Sequence, residues 1–180
     1  MSDQRLFFAL WPSAEVRDQL HQCLEQGPSV KGRPHHPADL HMTLVFLGQV
    51  RAERITCIRE AADSMDVQSF SLQIDHSGYW PRPKIVWAAP ETTPHPLTRL
   101  VDDLKHRLTS CGFEPEQRPY RPHVTLYRKV PHHQPWRLQS AIQWDVNEFV
   151  LATSNNPGSN QNRYQILDRW PLQQSDNSQQ

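Results

Sequence analysis

Two tetrads of the form His-x-Thr-Leu stand in this chain, His41-Met42-Thr43-Leu44 and His123-Val124-Thr125-Leu126, each inside a run that reads as a β-strand. Side chains alternate across a strand, so each His projects from the same face as the Thr two residues on. Two imidazoles flanked by two hydroxyl donors can hold a phosphodiester and move protons on both sides of it. One neutral imidazole takes a proton from an attacking hydroxyl or water, and the other, protonated, gives one to the departing alkoxide. An unperturbed histidine titrates near pH ~6.5, so both forms are accessible near neutrality. Thr43 and Thr125 can then donate to the non-bridging oxygens as charge builds on them, and this chemistry requires neither metal nor cofactor. A lone His-x-Thr is most often a structural histidine; two copies in matching contexts point to a symmetric active site.

The elements that must carry the tetrads follow from hydropathy patterning. Arg5 to Trp11 is apolar on both parities, which predicts a strand buried on both faces. Ser13 then caps a helix with Val16, Leu20, Cys23 and Leu24 on one side, ending at Gly27-Pro28. A proline-bearing loop over 28–39 leads to the first His strand, Leu40 to Leu47, and a second helix fits Ala52 to Met65. Phe70, Leu72 and Ile74 alternate with polar residues in a one-sided strand whose hairpin partner is Lys84 to Ala89. A third helix starts near Thr93 or Pro94, striped by Leu97, Leu100, Val101, Leu104, Leu108 and Cys111, with Gly112 behind it. Pro119 and Pro122 lead into the second His strand; Trp144 to Ala152 and Arg163 to Trp170 supply late strands around a polar stretch, Ser154 to Asn162. Both His strands share a proline-rich approach, Arg33-Pro34 with Pro37 and Arg118-Pro119 with Pro122. The expected fold is α+β: a bilobed, pseudo-twofold duplication of antiparallel sheet with helices outside and the His strands lining a central cleft. One domain is expected over residues 1–172, followed by a disordered polar tail over 173–180.

Strict alternation from His123 puts Thr125, Tyr127 and Lys129 on the catalytic face and Arg128 on the other. A phosphate role for Arg128 therefore needs a bulge or a reach around the strand end. Phe46, of opposite parity to His41, belongs by the same logic to the core. His35-His36 and His132-His133 are adjacent pairs beside prolines and read as solvated loops. His21, His95 and His106 read as surface residues, and His76 as structural. Cys23, Cys57 and Cys111 are an odd count without C-x-x-C spacing, which argues against a disulfide framework or zinc site and for a reduced cytosol.

Acidic and basic residues balance at 19 each, so no bulk cationic field draws in duplex nucleic acid. A nucleic-acid substrate must be gripped locally, which favours short or terminal substrates over long RNA. The N-terminus lacks a signal-peptide h-region and no apolar run approaches a membrane span. A soluble, cytoplasmic protein without a membrane partner, acting as a monomer, is the expectation.

The segments His41 to Gly48 and Arg121 to Arg128 resemble the paired signatures of the two-histidine phosphoesterase superfamily, and within it most of all the RNA 2′,3′-cyclic phosphodiesterases, also called 2′-5′ RNA ligases. Arg5 to Pro12, Pro83 to Ala88 and Tyr164 to Leu172 are similar to that family's opening, middle and closing strands, so nearly the whole chain before the tail is covered. The resemblance implies a metal-free cleft that opens the 2′,3′-cyclic phosphate of an RNA end or nucleotide to a 2′-phosphate, with reversible 2′-5′ RNA joining as a related activity. It implies His41 and His123 as the acid–base pair, with His41 as acid on the 3′ oxygen and His123 as base for water. Thr43 and Thr125 become phosphate-oxygen donors, and Arg128 matches the arginine that follows the family's second motif.

One rival is a non-catalytic protein that binds RNA ends or nucleotide phosphates in the same cleft without turnover. Another, a metal-dependent hydrolase, finds no His-x-His or His-x-x-x-His cluster in this sequence.

Overall fold

The computed structural model describes residues 3–114, 116–154 and 163–174. In chain order they form β1 (Gln4–Leu10), α1 (Ala14–Gln26), β2 (Arg33–Pro34), β3 (Met42–Val50), α2 (Ile55–Asp63), β4 (Phe70–Trp80), β5 (Ile85–Ala89), α3 (His95–Leu108), β6 (Val124–Arg128), β7 (Arg137–Val146), β8 (Glu148–Ser154) and β9 (Tyr164–Pro171). One antiparallel sheet runs β7-β4-β5-β6-β3-β1-β8-β9, with β2 on the free part of β6. The two His strands, β3 and β6, are its central pair. Chain order repeats on either side of them: β1–α1–β3 in one half matches β5–α3–β6 in the other. The α+β duplication expected from the sequence is therefore the architecture found.

Local chemistry accounts for the helices. The Ser13 side chain accepts the Val16 N–H at 3.3 Å and caps α1, whose Val16, Leu20 and Cys23 are buried. Gly27 ends this helix in extended backbone rather than the left-handed turn of a glycine cap; the Trp136 ring lies where a Cβ would stand. After α3, Gly112 does take the left-handed conformation, at φ 79°. Leu97, Leu100, Val101, Leu104 and Leu108 form the buried stripe of α3. Ala52–Arg54 is a 3₁₀ turn, so the second helix is shorter than its apolar register implies.

Strand β1 explains its two-sided hydrophobicity. Leu6, Phe8 and Leu10 enter the main core, while Phe7 and Ala9 join Val150 and Ala152 in a small second cluster against Trp11, Tyr164 and Ile166. That second cluster forms one wall of the histidine cleft. The single late strand expected from Trp144 to Ala152 is instead two strands, β7 and β8, parted at Asn147.

Two expectations need correction. Cys57 and Cys111 form a disulfide, with Cα atoms 5.8 Å apart, because the paired packing of α2 and the end of α3 brings together residues 54 positions apart; only Cys23 is free, and it is buried. Spacing along the chain holds no trace of such a contact. Gln173 is not part of a disordered tail, since its N–H donates to Val67 O and its carbonyl accepts from Ser69 N. Residues 175–180 of that tail, and 155–162 of the polar stretch, lie outside the described residues. No helix among the described residues is long and apolar enough to cross a membrane.

Candidate active site

Strands β3 and β6 meet at one antiparallel pair, Met42 opposite Val124, each the residue directly after its histidine. Continuing that register one step either way sets His41 opposite Thr125 and Thr43 opposite His123. The Nδ1–H of His41 donates to Asp39 O at 2.7 Å, and that of His123 to Arg121 O at 2.8 Å. Each ring is thus pinned by the carbonyl two residues before it. The bond places the neutral ring's proton on Nδ1 and leaves Nε2 free to take or give another.

Both strands bulge at the Leu of the tetrad. In the β1–β3 ladder Thr43 pairs with Ala9 and Val45 with Phe8, leaving Leu44 as the extra residue; a second irregularity follows between Phe46 and Gly48. In the β5–β6 ladder Thr125 pairs with Trp87 and Tyr127 with Val86, leaving Leu126 as the extra residue. Leu44 and Leu126 stay in the core, at 3% and 0% exposure, and the residues just after them change face. This overturns the parity expected for two residues. Phe46, opposite Phe7, is 54% exposed instead of core, and Arg128 lies on the Thr125 side instead of the reverse. Phe46 and Arg128 hold corresponding positions after the two tetrads. Lys129, expected on the catalytic face, is exposed and left-handed at φ 58° where β6 ends.

The bulge gives Arg128 a second neighbour. Beside it β2 pairs with β6, His35 N donates to Leu126 O at 2.8 Å, and Arg128 Nε donates to His35 Nε2 at 2.8 Å. His35 is therefore half-buried scaffold rather than solvated loop. Burial, helped by the Arg128 charge, pushes it down to about 3, so it remains a neutral acceptor. With Nε engaged, the terminal nitrogens of Arg128 keep their donors for an anion.

Aromatic rings hold the two catalytic candidates differently. Trp11 stacks on His41 at 5.1 Å between centroids, Phe7 lies at 5.0 Å and Tyr164 meets it edge-on at 4.8 Å. His123 has one described ring neighbour, Trp80, edge-on at 4.5 Å. Burial pushes His41 down to about 4, against the upward pull of the Asp39 carbonyl, with the charges of His123 and Arg128 adding to the fall. His123 is lowered as well, first by burial and then by Arg128. Periodicity missed Trp11, Tyr164 and Trp80 because each sits at the edge of an element, where no alternation assigns a face.

A cavity of about 1080 Å³ opens beside His123, Thr43 and Phe46 and extends to the end of α3 and the turn after β4. Tyr120, in its lining, donates its OH to Thr43 O at 3.0 Å, tying the approach loop of β6 to β3.

A profile described as the 2′-5′ RNA ligase superfamily matches residues 11–158. An RNA 2′,3′-cyclic phosphodiesterase of Escherichia coli (strain K12) is 34% identical over 174 residues, covering 95% of this chain and 98% of that protein. Another, of Archaeoglobus fulgidus, is 29% identical over 162 residues, covering 83% and 90%. Among solved structures, E. coli LigT complexed with 3′-AMP superposes with a TM-score of 0.86 at 33% identity, covering 95% of this chain and 99% of that one. The chain belongs to the 2′-5′ RNA ligase superfamily.

Proposed function

We propose that this chain is a cyclic phosphodiesterase that opens the 2′,3′-cyclic phosphate of an RNA end or nucleotide to a 2′-phosphate by acid–base catalysis between His41 and His123. The carrying observation is the pair of imidazoles, each pinned through Nδ1 to a carbonyl and each directly before the Met42–Val124 pair at which the two strands meet. A cyclic phosphate between them meets a proton acceptor on one side and a donor on the other. Thr43 and Thr125 donate to its non-bridging oxygens, and Arg128, held through Nε by His35, offsets their charge. All five groups come from one chain, so a monomer suffices.

The roles divide by enclosure, since the imidazole more closely walled off from water is the one held neutral. His41, enclosed by three aromatic rings and pushed down to about 4, persists as the neutral base. It takes the proton of water as the water oxygen attacks phosphorus. His123 borders the open cavity, which takes the nucleoside in this reading, and its Nε2–H protonates the 3′ oxygen as the P–O3′ bond breaks. This reverses the order implied by the resemblance alone. With a 5′-hydroxyl in place of water, the same proton traffic joins two ends through a 2′-5′ linkage.

The test is turnover of a nucleoside 2′,3′-cyclic monophosphate in the presence of a chelator, with the product phosphate mapped. A 2′-phosphate product is expected. Binding without turnover would establish the non-catalytic alternative, and activity surviving in both His41→Ala and His123→Ala would remove the mechanism.

A further inference from the structure

We propose that the cavity beside His123 is a binding track for the nucleotides that precede the reacting end of an RNA strand, with Arg82 and Lys105 as its phosphate contacts. This rests on the phosphodiesterase reading, and adds to it a site for substrate the chemistry never touches. The cavity, at about 1080 Å³, exceeds the ~300–1,000 Å³ typical of small-molecule pockets, so one nucleotide leaves much of it unfilled. It begins at Thr43 and His123, where the cyclic phosphate sits, and ends between α3 and the turn after β4. A strand whose last ribose lies at His123 can run 5′-ward along this groove, which is continuous with the His123 side of the site.

The lining fits that occupant. Phe46 and Trp80 present rings at the mouth, and Arg5 stacks on Phe46 at 4.9 Å, bracing the ring as a platform for a base. Further along, four cations face two carboxylates: Arg82, Lys105, Arg118 and Arg121 against Glu114 and Glu116. Arg118 and Glu116 pair with each other at 3.0 Å and largely cancel. Arg82 and Lys105 have no acidic partner among the described residues, although the chain as a whole has zero net charge. Unpaired cations beside aromatic rings, in a groove continuous with a phosphate site, match single-stranded nucleic acid: stacking holds bases of any sequence while point charges follow the backbone. A protein partner would use the same cavity differently, through buried apolar anchors and little dependence on salt.

The experiment compares kcat/KM for a nucleoside 2′,3′-cyclic monophosphate with that for a tetranucleotide ending in the same cyclic phosphate, in the wild type and in Arg82→Ala and Lys105→Ala. The tetranucleotide is expected to be favoured about tenfold or more, mostly through KM. Each substitution should pull that ratio towards one, and each should lower the salt slope of oligonucleotide KM by about 0.7, the value for one phosphate contact on a single strand. Equal kcat/KM for the two substrates, or a ratio untouched by both substitutions, overturns the track. Anisotropy of a 5′-labelled tetranucleotide ending in a 2′-phosphate separates the two readings. If binding weakens in both variants while no preparation turns over cyclic phosphate, the track stands and the phosphodiesterase assignment falls. If the mononucleotide is hydrolysed with no dependence on length, the reverse holds.

Discussion

The two halves of the cleft share a backbone and differ in what surrounds it. On both sides a histidine is fixed through Nδ1 to the carbonyl two residues earlier, a threonine follows, and a leucine bulges into the core. Past the bulge the halves diverge, with Phe46 on one side and Arg128 on the other. One strand ends its motif with an exposed aromatic ring and the other with a guanidinium held by His35. Trp11, Phe7 and Tyr164 enclose His41, while His123 touches Trp80 and the open cavity. Duplication supplies two equivalent imidazoles with unequal packing, and in the proposed mechanism that inequality makes one the base and the other the acid.

Breaking the shared part should cost most. His41→Ala and His123→Ala are each expected to lower kcat by about 10²–10⁴. The double substitution should lose far less than the product of the two, because the pair acts as a unit. A cyclic substrate with sulfur replacing the 3′ oxygen sharpens the comparison, since a thiolate departs without an acid. It should restore turnover to His123→Ala and leave His41→Ala inactive; the opposite pattern reverses the roles.

The divergent positions come next. Arg128→Ala should cost about 10–100-fold in kcat/KM, the worth of about 1.5–3 kcal/mol in charge-assisted hydrogen bonds. Arg128→Lys should recover little, because an ammonium cannot engage His35 through one nitrogen and the phosphate through two others. Removing the support itself is milder. His35→Ala should raise KM several-fold, about 1 kcal/mol, while His35→Gln, which keeps an acceptor, should recover part of the loss.

The smallest effects lie in pH. His41 and His123 are both lowered in the free protein, so the bell of kcat/KM should centre below pH ~6.5. Bound phosphate raises both groups, and the kcat profile should lie at higher pH. Trp11→Leu opens one face of His41 to water, so its pKa rises and the ascending limb moves up, while the descending limb set by His123 stays. Stability follows the same sign. His35 and His41 have depressed folded values of about 3 and about 4, so their contribution is intact above pH ~6.5 and lost as pH falls through those values. Denaturation midpoints of His35→Gln should fall less than those of the wild type between pH 6.5 and 3.

Much of this was legible in the residues. Repeated tetrads, apolar stripes and the proline approaches located both His strands, the helices and the α+β duplication, because side-chain alternation and helical periodicity are local properties. Alternation also misled, and in a specific way: it sent Phe46 to the core and Arg128 to the wrong face. A bulge is one residue, and nothing in His-x-Thr-Leu announces that its leucine will be passed over by the partner strand. His35 was missed for a related reason, since a two-residue strand on β6 has no pattern of its own.

By itself the sequence determined which groups are present and roughly where they stand in the chain: two imidazoles, two hydroxyls and one guanidinium on related strands. The tertiary structure alone decided which of them face one another, which histidine is enclosed, and that Cys57 reaches Cys111. The physical reason is range. Propensity and alternation act over a few residues, whereas burial, and with it the pKa of His41, depends on rings contributed by β1, by Trp11 just beyond it, and by β9 at the far end of the chain.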